Sequence, residues 1–256
     1  MDLSAITPFV LTLDEEPNIE RVLDGLRWAR RVLVVDSGSA DRTVEIARAY
    51  PNVEVRTRPF DSFAGQSDYA LAAVETQWAL ALDADYVVPP ALVAEIAALP
   101  ADPAESGFFA PFEYRVLGRG LRGSLYPPRQ VLFRKECAAF VQDGHAHRVR
   151  VEGSSGSLDT PILHDDRKGL RRWLRNQASY AEQEAAKLAA SPIRELDWPD
   201  RLRATMVLGP PAVALYCLFG RGLVLDGRAG LYYTAQRAVA EGILSIKLME
   251  ARRKRA

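Results

Sequence analysis

Three times within the first 90 residues a short apolar run ends in a carboxylate and turns on small or polar residues. Ile6 to Leu13 ends in Asp14-Glu15-Glu16. Pro17 then stands at a position favoured at the start of a helix, and Ile19, Val22, Leu23 and Leu26 form a stripe at helical spacing. Val32 to Val35 ends at Asp36, followed by Ser37-Gly38-Ser39-Ala40-Asp41-Arg42-Thr43. Val44, Ile46 and Ala47 lie in the helix that comes next, with Ser39 or Asp41 available as its N-cap. Trp78-Ala79-Leu80-Ala81-Leu82 ends in Asp83-Ala84-Asp85. A strand that is apolar on both faces, an acidic turn and a helix, repeated, is what a parallel sheet with crossover helices requires. The fold class expected is therefore α/β, a mostly parallel sheet flanked by helices. In such sheets ligands bind beyond the carboxyl ends of the strands, which is where these acids fall.

Two carboxylates one residue apart at a strand end supply oxygen ligands on a short tether. That suits a hard divalent cation such as Mg²⁺ or Mn²⁺, which can in turn hold a diphosphate. No Gly-x-Gly-x-x-Gly and no Walker loop is present, so a dinucleotide or P-loop site is disfavoured.

The blocks Leu11 to Ile19, Val34 to Thr43 and Ala81 to Asp85 resemble, in order and separation, the nucleotide-binding blocks of inverting family 2 glycosyltransferases. The resemblance is strong over residues 4–86 and weaker beyond. It is most similar to the branch that builds bacterial lipopolysaccharide core and cell envelope, which His164-Asp165-Asp166-Arg167-Lys168 and Leu225-Asp226-Gly227-Arg228-Ala229-Gly230 also resemble. The resemblance implies a GT-A fold and a nucleotide-sugar donor of the uridine type. It also implies a divalent cation (Mn²⁺ or Mg²⁺) as cofactor and a lipid-linked or envelope glycan as acceptor. By position, it places Asp36 on the base, Thr12 and Glu15 in the nucleoside pocket, Asp83 by the ribose and Asp85 on the metal. Departures are Asp14 where Asn is usual, Tyr86 where an acid often follows the D-x-D, and Ser67-Asp68 in place of a Lys-Asn pair. The last removes a cation that would face the diphosphate.

Inverting transfer needs a base to deprotonate the acceptor hydroxyl. In relatives it is a carboxylate beyond the D-x-D, often beside a histidine. The matching stretch is Phe140 to Val149, whose register leaves alternatives open: Asp143 as base assisted by His145 or His147, or His147 itself. Histidines clustered with acids also have the spacing of a zinc site, which the lack of nearby cysteines disfavours. Ahead of it, Tyr114 to Gln130 alternates Arg with Gly, Pro and Tyr. It reads as a loop over the donor, with Arg129 placed for phosphate contact, or as a twisted hairpin with solvated arginines.

Net charge is zero, but the distribution is not even. Residues 1–166 carry 16 Lys and Arg against 25 Asp and Glu, and residues 167–256 carry 17 against 8. We therefore divide the chain into a catalytic domain, 1–166, and a basic helical extension, 167–256. Arg167 to Ala190 carries a helical stripe closed by Ser191-Pro192. Met206 to Phe219 has no charged residue but is too short and too broken by Gly209-Pro210-Pro211 to span ~30 Å of hydrocarbon. With flanking arginines, nearby Trp198, Tyr216, Tyr232 and Tyr233, and a terminal Arg252-Arg253-Lys254-Arg255, it suits a helix lying in the interface of an anionic membrane. Two cysteines make no disulfide framework, and Asp2 followed at once by a strand does not read as a leader. The expected location is the cytoplasm, peripheral on the inner face of the membrane. No recognition motif for nucleic acid accompanies the basic charge.

Two other classes remain open on sequence. A nucleotidyltransferase would want a Gly-rich basic loop where Asp14-Glu15-Glu16 stands. A membrane-docked protein that binds nucleotide sugars with little transferase activity would fit the Ser67-Asp68 and Tyr86 departures.

Overall fold

The computed structural model describes residues 1–143 and 146–253, and their side chains except at 142, 143, 146 and 147. In chain order the elements are β1 (Ile6–Thr12), α1 (Ile19–Asp24), β2 (Val32–Asp36), α2 (Thr43–Arg48), β3 (Val53–Thr57), α3 (Phe63–Ala73), β4 (Trp78–Asp83), β5 (Tyr86–Val87) and α4 (Pro90–Ala98). There follow β6 (Gly107–Ala110), β7 (Phe112–Val116), β8 (Arg119–Gly120), β9 (Arg129–Arg134), β10 (Ala138–Asp143), β11 (Ala146–Val151), β12 (Ser155–Ser157) and β13 (Ile162–His164). The chain ends in α5 (Leu170–Ala190), α6 (Trp198–Ala204), α7 (Gly209–Leu215) and α8 (Gly227–Arg253).

These elements form two compact units: residues 1–115 with 126–167, and residues 116–125 with 168–256. The division is not a single cut, because residues 116–125, from the end of β7 through β8, belong with the C-terminal helices.

The first unit is built on a seven-stranded sheet of order β12-β6-β9-β4-β1-β2-β3. Strands β4, β1, β2 and β3 are parallel, whereas β9 runs antiparallel to both β4 and β6. The class expected from the apolar runs, α/β with a mostly parallel sheet, is the one observed. Alternation along β2 sorts its side chains: Val32 and Val34 face α1 and α4, packing with Ile19, Leu23, Leu92 and Ile96. Leu33 and Val35 face the opposite side with Phe9, Ala70, Leu71, Phe133 and Phe140. Both faces are thus covered, as a parallel sheet demands. A side sheet sets β13 between β5 and β7, and β10 pairs with β11 as a separate antiparallel ribbon.

Two local expectations are corrected. Helix α1 begins at Ile19, and Pro17 stays in the preceding turn, where Asn18 and Ile19 donate their amides to the Glu15 carbonyl. Neither cap candidate for α2 is its N-cap, which is Arg42; Asp41, one residue ahead, accepts from the Thr43 amide at 3.0 Å, and Ser39 turns back to Asp36.

The second unit packs α5, α6 and α8 around Ala181, Ala185, Leu188, Leu196, Leu244 and Leu248. Arg203 bridges Glu241 and Asp200 across it. Helix α7 runs into a single π-type turn, Tyr216–Gly220, and a 3-10 turn, Leu223–Asp226, leads into α8. Among the described residues no helix is long and apolar enough to cross a membrane. Gly230 is where α8 crosses that turn most closely, since a Cβ there would lie 1.9 Å from the Leu223 carbonyl oxygen. Backbone cannot yield as a side-chain end can. Gly230→Ala should therefore cost about 1–3 kcal/mol of stability, read as a lower midpoint in urea unfolding.

Candidate functional site

Register brings the strand ends level. Thr12 stands opposite Asp36 across β1–β2, and Leu11 opposite Asp83 across β1–β4. Asp36 is buried, and its carboxylate meets four donors. Thr12 Oγ1 donates to Oδ1 at 3.0 Å, Ser39 Oγ donates to the same oxygen, and the Gly38 and Ser39 amides donate to Oδ2 at 2.9 Å each. Gly38 makes the turn possible with φ of +96°. Four donors match the lone-pair capacity of a carboxylate. Any further donor reaching Asp36 would have to displace one of them, and the rotatable Ser39 hydroxyl is the least costly to move.

The turn after β1 is laced to the turn after β2. Asp14, at φ +52°, donates its amide to Ser39 Oγ and accepts from the Ala40 amide, both at 2.8 Å. The Glu15 amide donates to Thr43 Oγ1 at 2.6 Å. The Glu15 carboxylate accepts from Asn18 Nδ2 at 2.9 Å. Asn18 is fully buried and reaches further: Nδ2 to Asp166 at 3.0 Å, and Oδ1 receiving Arg21 Nη2 and the Arg167 amide at 2.9 Å each. Arg21 also pairs with Asp165 at 3.1 Å. Burial lowers the Arg21 pKa from its ordinary value, against the pull of Asp165. The segment after β13 is thereby tied to the start of α1. Nothing in the local sequence around Asn18 marks it as this junction, because its partners Asp166 and Arg167 lie 148 and 149 residues away.

Asp83 closes β4, with Arg129 Nη1 3.8 Å from its Oδ2. The Arg129 guanidinium lies 5.2 Å over the Tyr126 ring and 3.4 Å from Tyr86 Oη. The two tyrosine hydroxyls bond each other. Burial, reinforced by the negative charge of Asp83, pushes both tyrosines well above the ordinary phenol range. They stay neutral. Burial works against the Arg129 charge, but the phenol oxygens of Tyr86 and Tyr126 and the Asp83 carboxylate around it outweigh burial and keep the guanidinium protonated, its pKa above the ordinary value. Tyr86, a departure in the sequence, is here the buried floor on which Arg129 is set.

Asp85 sits two residues on. Its Oδ2 lies 3.4 Å from His164 Nε2, and its carbonyl accepts the Asp165 amide at 3.0 Å. His164 is ringed by Tyr114, Tyr126 and Tyr86, with centroids at 4.4, 4.8 and 5.3 Å, and its Nδ1 is buried without a partner. Among the described residues no group of three or more His, Cys, Asp or Glu side chains could by itself hold a metal. One carboxylate facing one imidazole suits a cation that takes its remaining ligands from a diphosphate and water. Asp85 and His164 fit that role; a closed zinc site does not.

Ser67 is buried and donates to the Phe63 carbonyl, and Asp68 accepts the Phe140 amide at 3.0 Å, anchoring β10 to α3. Gln66 donates to Ser37 Oγ and the Arg58 carbonyl. The Tyr114–Gln130 stretch is neither a free loop nor a simple hairpin: β7 joins β13, β9 joins β4 and β6, and Arg122 pairs with Asp226 at 2.9 Å. His145 lies outside the described residues, as do the side chains of Asp143 and His147. Their strands meet in register, Gln142 opposite His147 and Asp143 opposite Ala146.

Residues 7–147 match the glycosyl transferase family 2 model. An uncharacterized glycosyltransferase of Rickettsia bellii is 36% identical over 81 residues, 31% of this chain and 27% of that protein. The lipopolysaccharide core biosynthesis glycosyltransferase LpsC of Rhizobium meliloti is 28% identical over 84 residues, 31% of each chain. The matched stretch thus spans less than a third of these relatives' length. Among solved structures, the mannosyltransferase PcManGT from Pyrobaculum calidifontis, in complex with GDP-Man and Mn²⁺, superposes with a TM-score of 0.52 at 17% identity, covering 98% of this chain and 88% of that one. TarS 1–349 of S. aureus, in complex with UDP-GlcNAc, gives 0.51 at 14% identity, covering 97% and 91%. At that identity the likeness is one of fold.

Proposed function

The chain belongs to glycosyl transferase family 2, and on that premise we propose that it moves a sugar, with inversion, from a nucleoside-diphosphate donor of the uridine type to a lipid-linked or cell-envelope glycan. The observation that carries this reading is the level edge formed by Thr12, Asp36, Asp83 and Asp85 with Arg129 set against it. Asp36, with Thr12 beneath it, receives the base, and Glu15 closes the nucleoside pocket through Asn18. Asp83 takes the ribose. Arg129, charged and held by two neutral tyrosines, supplies beside the diphosphate a cation that Ser67 does not. Asp85 and His164 would hold the divalent cation, which would neutralise charge on the diphosphate leaving group. The acceptor hydroxyl loses its proton to the β10–β11 ribbon tip, to Asp143 assisted by His145 or His147, or to His147 itself. The lipopolysaccharide role named for LpsC, the excess of cations in residues 167–256 and the exposed apolar side chains of the helical unit support an acceptor met at the inner face of the membrane.

Calorimetric titration with UDP in the presence and absence of Mn²⁺ tests the pocket, and a panel of nucleotide sugars tests the chemistry. We expect Mn²⁺-dependent binding of UDP and slow hydrolysis of at least one UDP-sugar without acceptor. Arg129→Ala should raise the donor KM about tenfold or more, the loss of a charge-assisted contact. UDP binding with no hydrolysis or transfer from any donor would favour the binding-only alternative, and no binding would remove the reading.

A further inference from the structure

The motif Leu225-Asp226-Gly227-Arg228-Ala229-Gly230 contains four residues that the helical unit uses and two that it does not. Asp226 accepts from the Arg122 amide at 3.1 Å and from Arg122 Nε at 2.9 Å. Gly227 takes φ 57° and ψ −130°, a conformation essentially reserved for glycine. Ala229 is buried, and Gly230 lies against the Leu223 carbonyl. Leu225, by contrast, is 69% exposed, and Arg228 points to solvent. Folding explains the first four. It gives no reason for the last two.

Their surroundings do. The π turn and the 3-10 turn form the apex between α7 and α8, and each directs one small set inward and a larger set outward. Cys217 and Leu223 are fully buried, whereas Leu215, Tyr216, Phe219, Val224 and Leu231 join Leu225 on the outside. Phe219 is 68% exposed. Apolar side chains this large, grouped on one turn, mark an interaction surface. Arginines border it. Arg221 stacks on Tyr216, and neither Arg119, Arg221 nor Arg228 has a carboxylate partner among the described residues. The acid at the apex, Asp226, is already neutralised by Arg122. Arg119, Arg122, Leu225, Asp226 and Gly227 line a cleft of about 350 Å³ between the strap 116–125 and the start of α8, roomy enough for a phosphate headgroup. Exposed apolar groups in one short stretch, with arginines lacking carboxylate partners nearby, match one kind of partner: a bilayer surface, hydrocarbon inside and anionic phosphate at its rim.

We propose that the apex Leu215–Leu231 is the membrane-inserting element of this protein, with Phe219 and Leu225 entering the acyl region and Arg119 and Arg228 seating anionic lipid phosphate. This rests on the peripheral-membrane part of the proposed function and specifies which residues carry it. The Arg252–Arg255 end is then an accessory attraction and not the anchor.

The test is co-sedimentation of the full chain with vesicles of phosphatidylcholine alone or with 30% phosphatidylglycerol, at low and high salt, alongside gel filtration and thermal melts. We expect Phe219→Asp/Leu225→Asp to cut partition to the anionic vesicles at least tenfold at both salts. The conservative pair Phe219→Leu/Leu225→Met should restore it. Arg119→Glu/Arg228→Glu should remove the salt-sensitive part while leaving residual binding. Deletion of 252–256 should weaken binding by less than the apex pair does. If the apex pair binds as wild type while the deletion releases the protein, this assignment is overturned and the peripheral-membrane reading stands. If wild type binds neither vesicle, both fall. If wild type is a dimer that the apex pair splits, with vesicle binding unchanged, the apex is a self-association surface and the assignment is wrong. The conservative pair keeps the test decisive should the aspartates lower the melting temperature.

Discussion

Asp85→Ala is expected to abolish the Mn²⁺ dependence of UDP binding and to lower transfer 10²- to 10³-fold, the range seen when one preorganised charge-stabilising group is removed. The fold should survive, because the Asp85 carbonyl that receives the Asp165 amide is untouched by the substitution, while the pairing of its carboxylate with His164 at 3.4 Å is lost. His164→Ala should reduce the Mn²⁺ dependence in the same direction by a smaller factor, since a carboxylate is the better ligand for a hard cation. It should also lower stability, because His164 is packed among Tyr86, Tyr114 and Tyr126. Titration of UDP against each variant with and without Mn²⁺ separates the two roles. Equal affinity for UDP in wild type and Asp85→Ala, at every Mn²⁺ concentration, would remove the cation from Asp85.

The second large effect concerns the base. Asp143→Asn keeps the size and hydrogen-bonding reach of the side chain but cannot take a proton at neutral pH. Turnover should fall ~10²-fold or more with donor binding preserved. His147→Ala should fall by less if the histidine only assists. The reverse order, wild-type turnover in Asp143→Asn and collapse in His147→Ala, assigns the base to His147. Single-turnover measurements with the donor pre-bound keep the chemical step apart from binding.

The parts of this molecule that were legible in its sequence share one property: their signal is local. A parallel strand buried on both faces is a continuous apolar run, so β1, β2 and β4 could be read from Ile6, Val32 and Trp78 onward. Their acids at Asp36 and Asp83 then had to fall on one edge. Arg129 was flagged from a run of cations and aromatics, and the structure sets it against Asp83. What sequence left hidden depends on contacts between distant stretches. His164 faces Asp85 only because β13 pairs with β5, and Asn18 acts as a junction only because the segment after β13 returns to α1. Tyr86 looked like a lost acid because its value lies in Tyr126 and Arg129, which no spacing rule connects to it. For Tyr114 to Gln130 the sequence leaves a loop over the donor and a twisted hairpin both open, since Arg-Gly alternation carries no period that tells which body the strap 116–125 will join.

That strap makes the helical unit something other than a tail. The chain passes from one unit to the other three times, at 115–116, 125–126 and 167–168. A fragment ending at Arg167 would keep residues 116–125 without their partners in the helical unit: Asp226 would be missing from the Arg122 guanidinium and the Tyr233 hydroxyl from the Leu125 amide. The helical part is therefore not a cassette that can be appended to or clipped from a finished catalytic domain. During synthesis the ribosome delivers residues 116–125 long before α8 exists, so the first unit must fold around an unsatisfied excursion and wait for the last 30 residues to complete it.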